Sequence, residues 1–391
     1  LALVNNGHAR SLSNGVGFFQ PCEAITETNV RRLILNIHLF IALIAGAFMV
    51  ILGVTGSIMA FEPELDRLLH PQLSYVAPDR RVISLSEIGD AASRRFGGEP
   101  VVAYLPSLSP GLSSQVLLPS GIAYVNQHTG EVLGMRTRGQ TFLGYVRELH
   151  VRLVGGSFGR SIVKLSGIAM LFSLASGLSL WWPIKRVSIR GKWGTRRPWF
   201  DLHNAVGIFS LLPLAILAAT GTIIGFEDQV GPLIYKLTRS SPMHITRFTP
   251  PEPAPGATAI TPDEAVAIAR THIPGAIPYR VQMPKYGGLY VVALLNPRER
   301  VAGDGNVVAL DPYSGQVVSL SRSSDLSRGD RVLAANEAIH TGSVLGMPGR
   351  IVVCLASTMV FVQALSGLFI WLDGSRARLS ASRPMNEKGV S

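Results

Sequence analysis

Cysteine is nearly missing. Two occur in 391 residues, Cys22 and Cys354, and the topology below sets them on opposite sides of a membrane or inside it, which excludes an intrachain disulfide and a thiolate metal site. Charge is scarce as well: 16% of residues are charged against 47% apolar, too greasy a balance for ordinary soluble domains, so the chain reads as a membrane protein. The start of the chain lacks the charged-then-apolar order of a signal peptide. Residues 1 to 30 are polar and rich in Gly, Asn and Ser, and are expected to form a loose cytoplasmic tail, with the first span as targeting signal. No complete G-x-G-x-x-G occurs, because "GVGFFQ" lacks the last glycine and a strand before it, so no nicotinamide-binding module is expected.

What is present is a set of long apolar runs. Crossing ~30 Å of hydrocarbon takes ~20 helical residues, and stretches near 33 to 61, 161 to 182, 205 to 226 and 351 to 372 qualify. The expected fold is an integral membrane four-helix bundle. The segment "IKRVSIRGKWGTRRP" carries Lys185, Arg186, Arg190, Lys192, Arg196 and Arg197 without an acid, which makes it cytoplasmic by the positive-inside bias. Arg31, Arg32, Arg376, Arg378, Arg383 and Lys388 agree, placing both termini inside. The net charge of +11 then reflects topology and contact with lipid headgroups, not nucleic-acid binding.

The predicted layout is a tail at 1–30, TM1 at 31–62, a small periplasmic α+β domain at 63–145, and an outer segment plus TM2 at 146–183. A basic loop at 184–198 leads to TM3 at 199–228, a second α+β domain at 229–335, an outer segment plus TM4 at 336–373, and a tail at 374–391. Each outer part opens with a helix-like stretch, "SLSEIGDAASRRFG" or "TPDEAVAIARTHIPG", and ends in a strand-turn-strand unit, "AYVNQHTGEVLG" or "VALDPYSGQVVS". "FTPPEPAPGATAITP" reads as a stiff linker.

The halves repeat. His38 is followed by Thr55, Gly56, Phe61 and Glu62 at +17, +18, +23 and +24, and His203 by Thr220, Gly221, Phe226 and Glu227 at the same offsets. His150 precedes Gly159, Arg160, Gly177, Leu178 and Trp181 by 9, 10, 27, 28 and 31 residues, and His340 precedes Gly349, Arg350, Gly367, Leu368 and Trp371 by the same distances. An internal two-fold repeat about the membrane normal follows, and it pairs His38 with His203 and His150 with His340.

His38 and His203 each lie six residues past an arginine, roughly 9 Å inside the basic boundary. Intramembrane imidazoles are costly and usually serve a site. His150 and His340 start near the outer lip, but the helix breakers in "HVRLVGGSFGR" and "HTGSVLGMPGR" allow the preceding segment to bend back over the bundle. Two histidine pairs without carboxylate or thiolate suit haem with axial imidazoles on both faces, since zinc wants more ligands at each level. Gly46, Gly53, Gly56, Gly167, Gly177, Gly207, Gly221 and Gly367 offer slots for a flat ring or ordinary helix packing. Arg160 and Arg350, at the outer boundary, are candidate partners for haem propionates or for headgroups. Trp181 and Trp371 read as interfacial belt. Glu62, Glu227, His128 and His244 are given surface or boundary roles.

"GVTGSIMAFEPELDRLLHPQL", "GLSLWWPIKR", "NQHTGEVL" and "DPYSGQVV" resemble the PepSY-associated transmembrane-helix family, which includes iron-regulated inner-membrane proteins and siderophore reductases. The resemblance covers about residues 30 to 375. It implies a bacterial inner-membrane protein with periplasmic PepSY domains and two b-type haems, held by His38, His150, His203 and His340, that passes electrons outward to reduce ferric siderophores or other iron chelates. The chain continues only about twenty residues past its fourth span, so the electron donor is expected to be separate: membrane quinol or a cytoplasmic flavoprotein. The alternative is a haem-free PepSY-domain protein with a sensing, protease-inhibiting or other regulatory role. A dihaem conduit to a different acceptor, such as a periplasmic redox protein or copper, is a third reading.

Overall fold

The computed structural model describes residues 22–137, 141–185, 187–193, 195–242, 257–284, 288–296 and 306–381. Arg186, His244, Arg383, Lys388, residues 1–21 of the N-terminal tail and the linker as far as residue 256 lie outside them.

The described helices are α1 (Cys22–Met59), α2 (Glu62–Leu69), α3 (Pro71–Ser74), α4 (Leu85–Arg95), α5 (Phe142–Arg152), α6 (Gly156–Trp181), α7 (Arg196–Gly225), α8 (Glu227–Thr238), α9 (Pro262–His272), α10 (Arg328–Thr341) and α11 (Met347–Ala381). The strands are β1 (Ala103–Leu105), β2 (Ser114–Leu117), β3 (Ile122–Val125), β4 (Val132–Arg136), β5 (Ile277–Gln282), β6 (Tyr290–Leu295), β7 (Val307–Leu310) and β8 (Val317–Ser321).

Four helices have the length and apolarity to cross a membrane: Asn29–Met59 within α1, all of α6, all of α7, and Met347–Ser375 within α11. Their outward faces are apolar and bare. Phe40, Phe172 and Phe209 are 65%, 62% and 77% exposed, a surface suited to lipid and not to water. The helices form a ring in which α1 and α7 each pack against both α6 and α11, so α1 and α7 face one another across its interior. Pro213 sits inside α7 without ending it, as membrane helices tolerate.

The strands expected for two small domains lie in one antiparallel sheet of eight, in the order β4-β3-β2-β1-β5-β6-β7-β8. β1 and β5 join the two groups of four, with Ala103 opposite Gln282 and Tyr104 opposite Val281. One core serves the whole sheet: Val116, Val125, Val281, Val292 and Val308 pack with Ile88 of α4 and Ala265 and Ala269 of α9. Alternation in such short strands reveals a buried face, but not which edges meet.

Helices α4 and α9 both begin with capping boxes, Ser84 with Glu87 and Thr261 with Glu264. Asp263 also accepts from the Leu85 and Ser86 backbone N–H groups at 2.7 and 3.0 Å, and from the Ser86 hydroxyl at 2.7 Å. Its carboxylate thus supplies negative charge where α4 leaves N–H groups unpaired, stitching the two units together. At the turn between β3 and β4, His128 is buried, with Nδ1 2.6 Å from Arg81 O and Nε2 2.9 Å from Pro110 O. The surface role expected for it is corrected to a structural one, because its ring ties two loops together.

The first half is bolted to the bundle through α2. Glu62 pairs with Arg147 of α5 at 2.5 Å, Glu64 with Arg350 of α11 and Asp66 with Arg136 of β4. Consecutive even positions on a short helix thereby hold three different elements.

Candidate functional site

The breakers before α6 and α11 do bend the chain back. Leu153 and Val154 take left-handed backbone angles, as does Gly342. The new helix then starts so close that a Cβ on Gly159 would lie 1.8 Å from Arg152 O, and one on Gly349 2.2 Å from Gly342 O. Only glycine fits there. The result is that α5 lies against α1 and α10 against α7, with His150 and His340 turned into the bundle.

Two imidazole pairs result. His38 and His203 have ring centres 6.4 Å apart with planes at 88°, and His150 and His340 have centres 6.4 Å apart with planes at 49°. Each ring is held the same way. His38 Nδ1 lies 2.9 Å from Ser176 Oγ, His203 Nδ1 3.0 Å from Ser366 Oγ, and the Nδ1 atoms of His150 and His340 3.0 Å from Thr55 and Thr220 Oγ1. Every one of these hydroxyls already donates its own proton to the carbonyl four residues earlier: Ser176 to Phe172, Ser366 to Val362, Thr55 to Ile51 and Thr220 to Ile216, at 2.6 to 2.7 Å. A hydroxyl has one proton. Each must therefore accept from imidazole, which fixes the proton on Nδ1 and leaves the Nε2 lone pair free. No hydrogen bond reaches Nε2 of any of the four among the described residues.

This is the state a metal-ligating histidine needs, one nitrogen oriented by a hydrogen bond and the other open. The spacing fits as well. Metal–nitrogen bonds of roughly 2 Å on both sides, with roughly 1 Å from each nitrogen to its ring centre, separate two ring centres by about 6 Å. Among the described residues no group of three or more His, Cys, Asp or Glu could hold a metal ion, so each pair supplies two ligands only. A macrocycle that brings its own equatorial donors fits such a pair; a bare zinc ion does not.

Glycine makes room for the imidazoles. A Cβ on Gly177 would lie 3.4 Å from His38 Cε1, on Gly367 3.3 Å from His203 Cε1, on Gly56 3.2 Å from His150 Cε1 and on Gly221 2.8 Å from His340 Cε1. The other expected slots serve elsewhere. Gly53 meets Ser357 and Val360, Gly167 meets Thr222, Gly207 meets Gln363, and Gly46 has nothing within 4 Å. Arg350 is also reassigned: its guanidinium binds Glu64 and Ala60 O and lies over the Phe61 ring at 5.1 Å, so it is not free for a cofactor carboxylate. Arg160 is exposed. Glu62 is engaged by Arg147, and Trp181 and Trp371 lie toward the ends of α6 and α11 nearer the basic loop.

The two levels are separated by the 17 residues from His38 to Thr55 on α1, about 25 Å. Between them Met49, Leu214, Ala356 and Val360 are buried against Met170, Leu174 and Leu217. At the loop end Trp199, one turn before His203, stacks on Phe369 at 4.4 Å, with Trp193 edge-on at 5.6 Å.

Ser176 and Ser366 were not singled out in the sequence, although they follow His150 and His340 by the same 26 residues. Extending the offset comparison to serine would have found them.

Four membrane-length helices beneath an eight-stranded sheet, with two imidazole pairs inside, define a multi-spanning membrane protein with paired internal histidines. A family model described as the PepSY-associated TM region matches residues 35–373, and the chain belongs to that family. No curated protein matches the chain at a significant level.

Proposed function

We propose that this chain is a dihaem electron-transfer protein of a bacterial inner membrane, with both termini cytoplasmic, that reduces ferric siderophores or related iron chelates on the periplasmic side. On this reading the sheet comprises two periplasmic PepSY domains related by an internal two-fold. A separate donor, quinol or a cytoplasmic flavoprotein, delivers electrons at the His38/His203 level, and they leave at the His150/His340 level.

The observation that carries the proposal is the set of four hydroxyl-locked imidazoles in two facing pairs. Haem b, when bound, would supply a reversible one-electron couple suited to electron transfer. The chain's own residues do the rest. His38 and His203 would hold one haem and His150 and His340 the other, while Ser176, Ser366, Thr55 and Thr220 keep each ring in the tautomer that leaves Nε2 open. Met49, Leu214, Ala356 and Val360 keep the interior between the levels apolar, so charge can cross without a water path. The substrate step needs no acid or base: Fe(III) in hard oxygen ligands gains one electron, and the softer Fe(II) is held less well and released.

The test is optical. Purified protein should show a Soret band and two haems per chain. His38→Ala and His203→Ala should each lose the same single haem, and His150→Ala and His340→Ala the other. A colourless, folded preparation made with ample haem would overturn the proposal, and so would loss of different haems from the two members of one pair. Anaerobically reduced protein should be reoxidised by a ferric chelate; failure with every chelate class removes the substrate assignment.

A further inference from the structure

A cavity of about 420 Å³ opens where the sheet meets the bundle, lined by Leu69, His70, Arg136, Thr137, Thr141 and Phe142. It lies at the start of α5, the helix that carries His150. The eight residues from Phe142 to His150 put the cavity within about 12 Å of that imidazole along the helix, and its volume falls in the range of small-molecule sites.

Its polar groups are arranged but not used up. Arg136 meets Asp66 and Tyr124 Oη through Nη1 alone, leaving Nη2 and Nε without an acceptor among the described residues. The backbone of His70 is fixed, its N–H donating to Asp66 O at 3.0 Å and its carbonyl accepting from Leu73 and Ser74 at 3.1 and 3.2 Å. The His70 imidazole itself makes no hydrogen bond among the described residues. The lining thus combines the Arg136 guanidinium, the His70 imidazole and two threonine hydroxyls with the apolar Leu69 and Phe142, and it includes no carboxylate.

We infer that this cavity docks the iron chelate, and that the chelate it takes is an anionic one, of the carboxylate or catecholate class. The inference rests on the electron-transfer reading for its purpose. One electron passes from the reduced centre at His150 and His340 to Fe(III) of the docked complex; no covalent bond of the ligand is made or broken, and the quinol or flavoprotein donor supplies the electron.

Binding is tested apart from electron transfer with gallium(III) chelates, which are not reduced. Calorimetric titration of the full chain in detergent should show saturable binding of gallium citrate. His70→Ala and Arg136→Lys should each weaken it about tenfold, the loss of one charge-assisted hydrogen bond, while Arg94→Ala, at an exposed position in the last turn of α4, leaves it unchanged. If Arg136→Lys fails to fold by circular dichroism, Thr137→Val at an exposed position replaces it, with a weakening in the same direction. Absent binding, or binding untouched by His70→Ala and its companion variant, overturns the site. Equal binding of a cationic gallium trihydroxamate overturns the anionic class. Site-dependent binding by a protein whose haem ferric citrate does not reoxidise keeps the cavity and removes the electron-transfer reading. Fast reoxidation with unchanged KM in His70→Ala does the reverse.

Discussion

The two halves of the chain build the same pair geometry on different supports. In the first half α2 offers Glu62, Glu64 and Asp66, and arginines from α5, α11 and β4 take one each. At the same offsets from His203 stand Glu227, Gln229 and Gly231, and among the described residues no ion pair reaches them. The second half relies on neutral and singly charged hydrogen bonds: Tyr235 Oη donates to Asp330 at 2.7 Å, and the Ser240 hydroxyl accepts from Gly329 N at 2.9 Å. Yet both imidazole pairs have ring centres 6.4 Å apart. Pair spacing is therefore set inside the bundle, by hydroxyls and glycines on neighbouring helices, while the ion pairs tie α2 to α5, α11 and β4.

Glycine offers the sharpest way to break that likeness. A Cβ at Gly221 would come within 2.8 Å of His340 Cε1, whereas one at Gly56 would stand 3.2 Å from His150 Cε1. The first distance forces the ring to shift, and the second asks for a few tenths of an ångström. On the proposed dihaem reading, Gly221→Ala should therefore weaken haem occupancy at the His150/His340 pair by the ~1–3 kcal/mol typical of overpacking, with Gly56→Ala well below that. Haem content and the spectrum of that centre provide the measurement. Equal loss in both variants would mean the halves are tighter copies than these distances say.

Much of this site was legible in the sequence, for a physical reason. A helix has a fixed rise, so equal offsets in two spans mean equal depth, and the spacing of His38, Thr55 and Gly56 against His203, Thr220 and Gly221 carries the pairing outright. The spans were legible from length and apolarity. The contact of Glu64 with Arg350, 286 residues apart, was not, because one carboxylate among 25 acids has no periodicity to mark its partner. The single sheet was hidden for a related reason: the pairing of β1 with β5 depends on which edges are left uncovered, and no local pattern records that.

The ion pairs separate the halves by a smaller margin. Glu64 is held below the usual carboxylate range, first by its hydrogen bond to Arg350. Its side chain is 39% exposed and that of Arg350 19%, so screening limits the pair to about 1 kcal/mol. Glu64→Gln should lower the melting temperature by about 2–4 °C at neutral pH. A folded pKa below the unfolded one stabilises the protein above about pH 4.3, and that contribution is lost as pH falls through the folded value. The melting curves of wild type and variant should therefore converge on acidification, and a gap undiminished at low pH would show that packing, not charge, is what Glu64 supplies.

The smallest effect comes from giving the second half what it lacks. Arg160 occupies the offset of Arg350, and Gln229 that of Glu64. Arg350 of α11 stands over Phe61, whereas over the equivalent Phe226 stands Lys164 of α6 at 5.0 Å. Gln229→Glu should let Arg160 form the missing pair and raise the melting temperature by about 1–2 °C, in line with ~0.5 kcal/mol for a half-exposed ion pair. The gain should vanish when Arg160→Ala is added, since the coupling belongs to the pair and not to either residue. If Gln229→Glu stabilises equally with and without Arg160, the acid has found Lys164 instead, and the halves differ in where their cations stand as well as in which acids meet them.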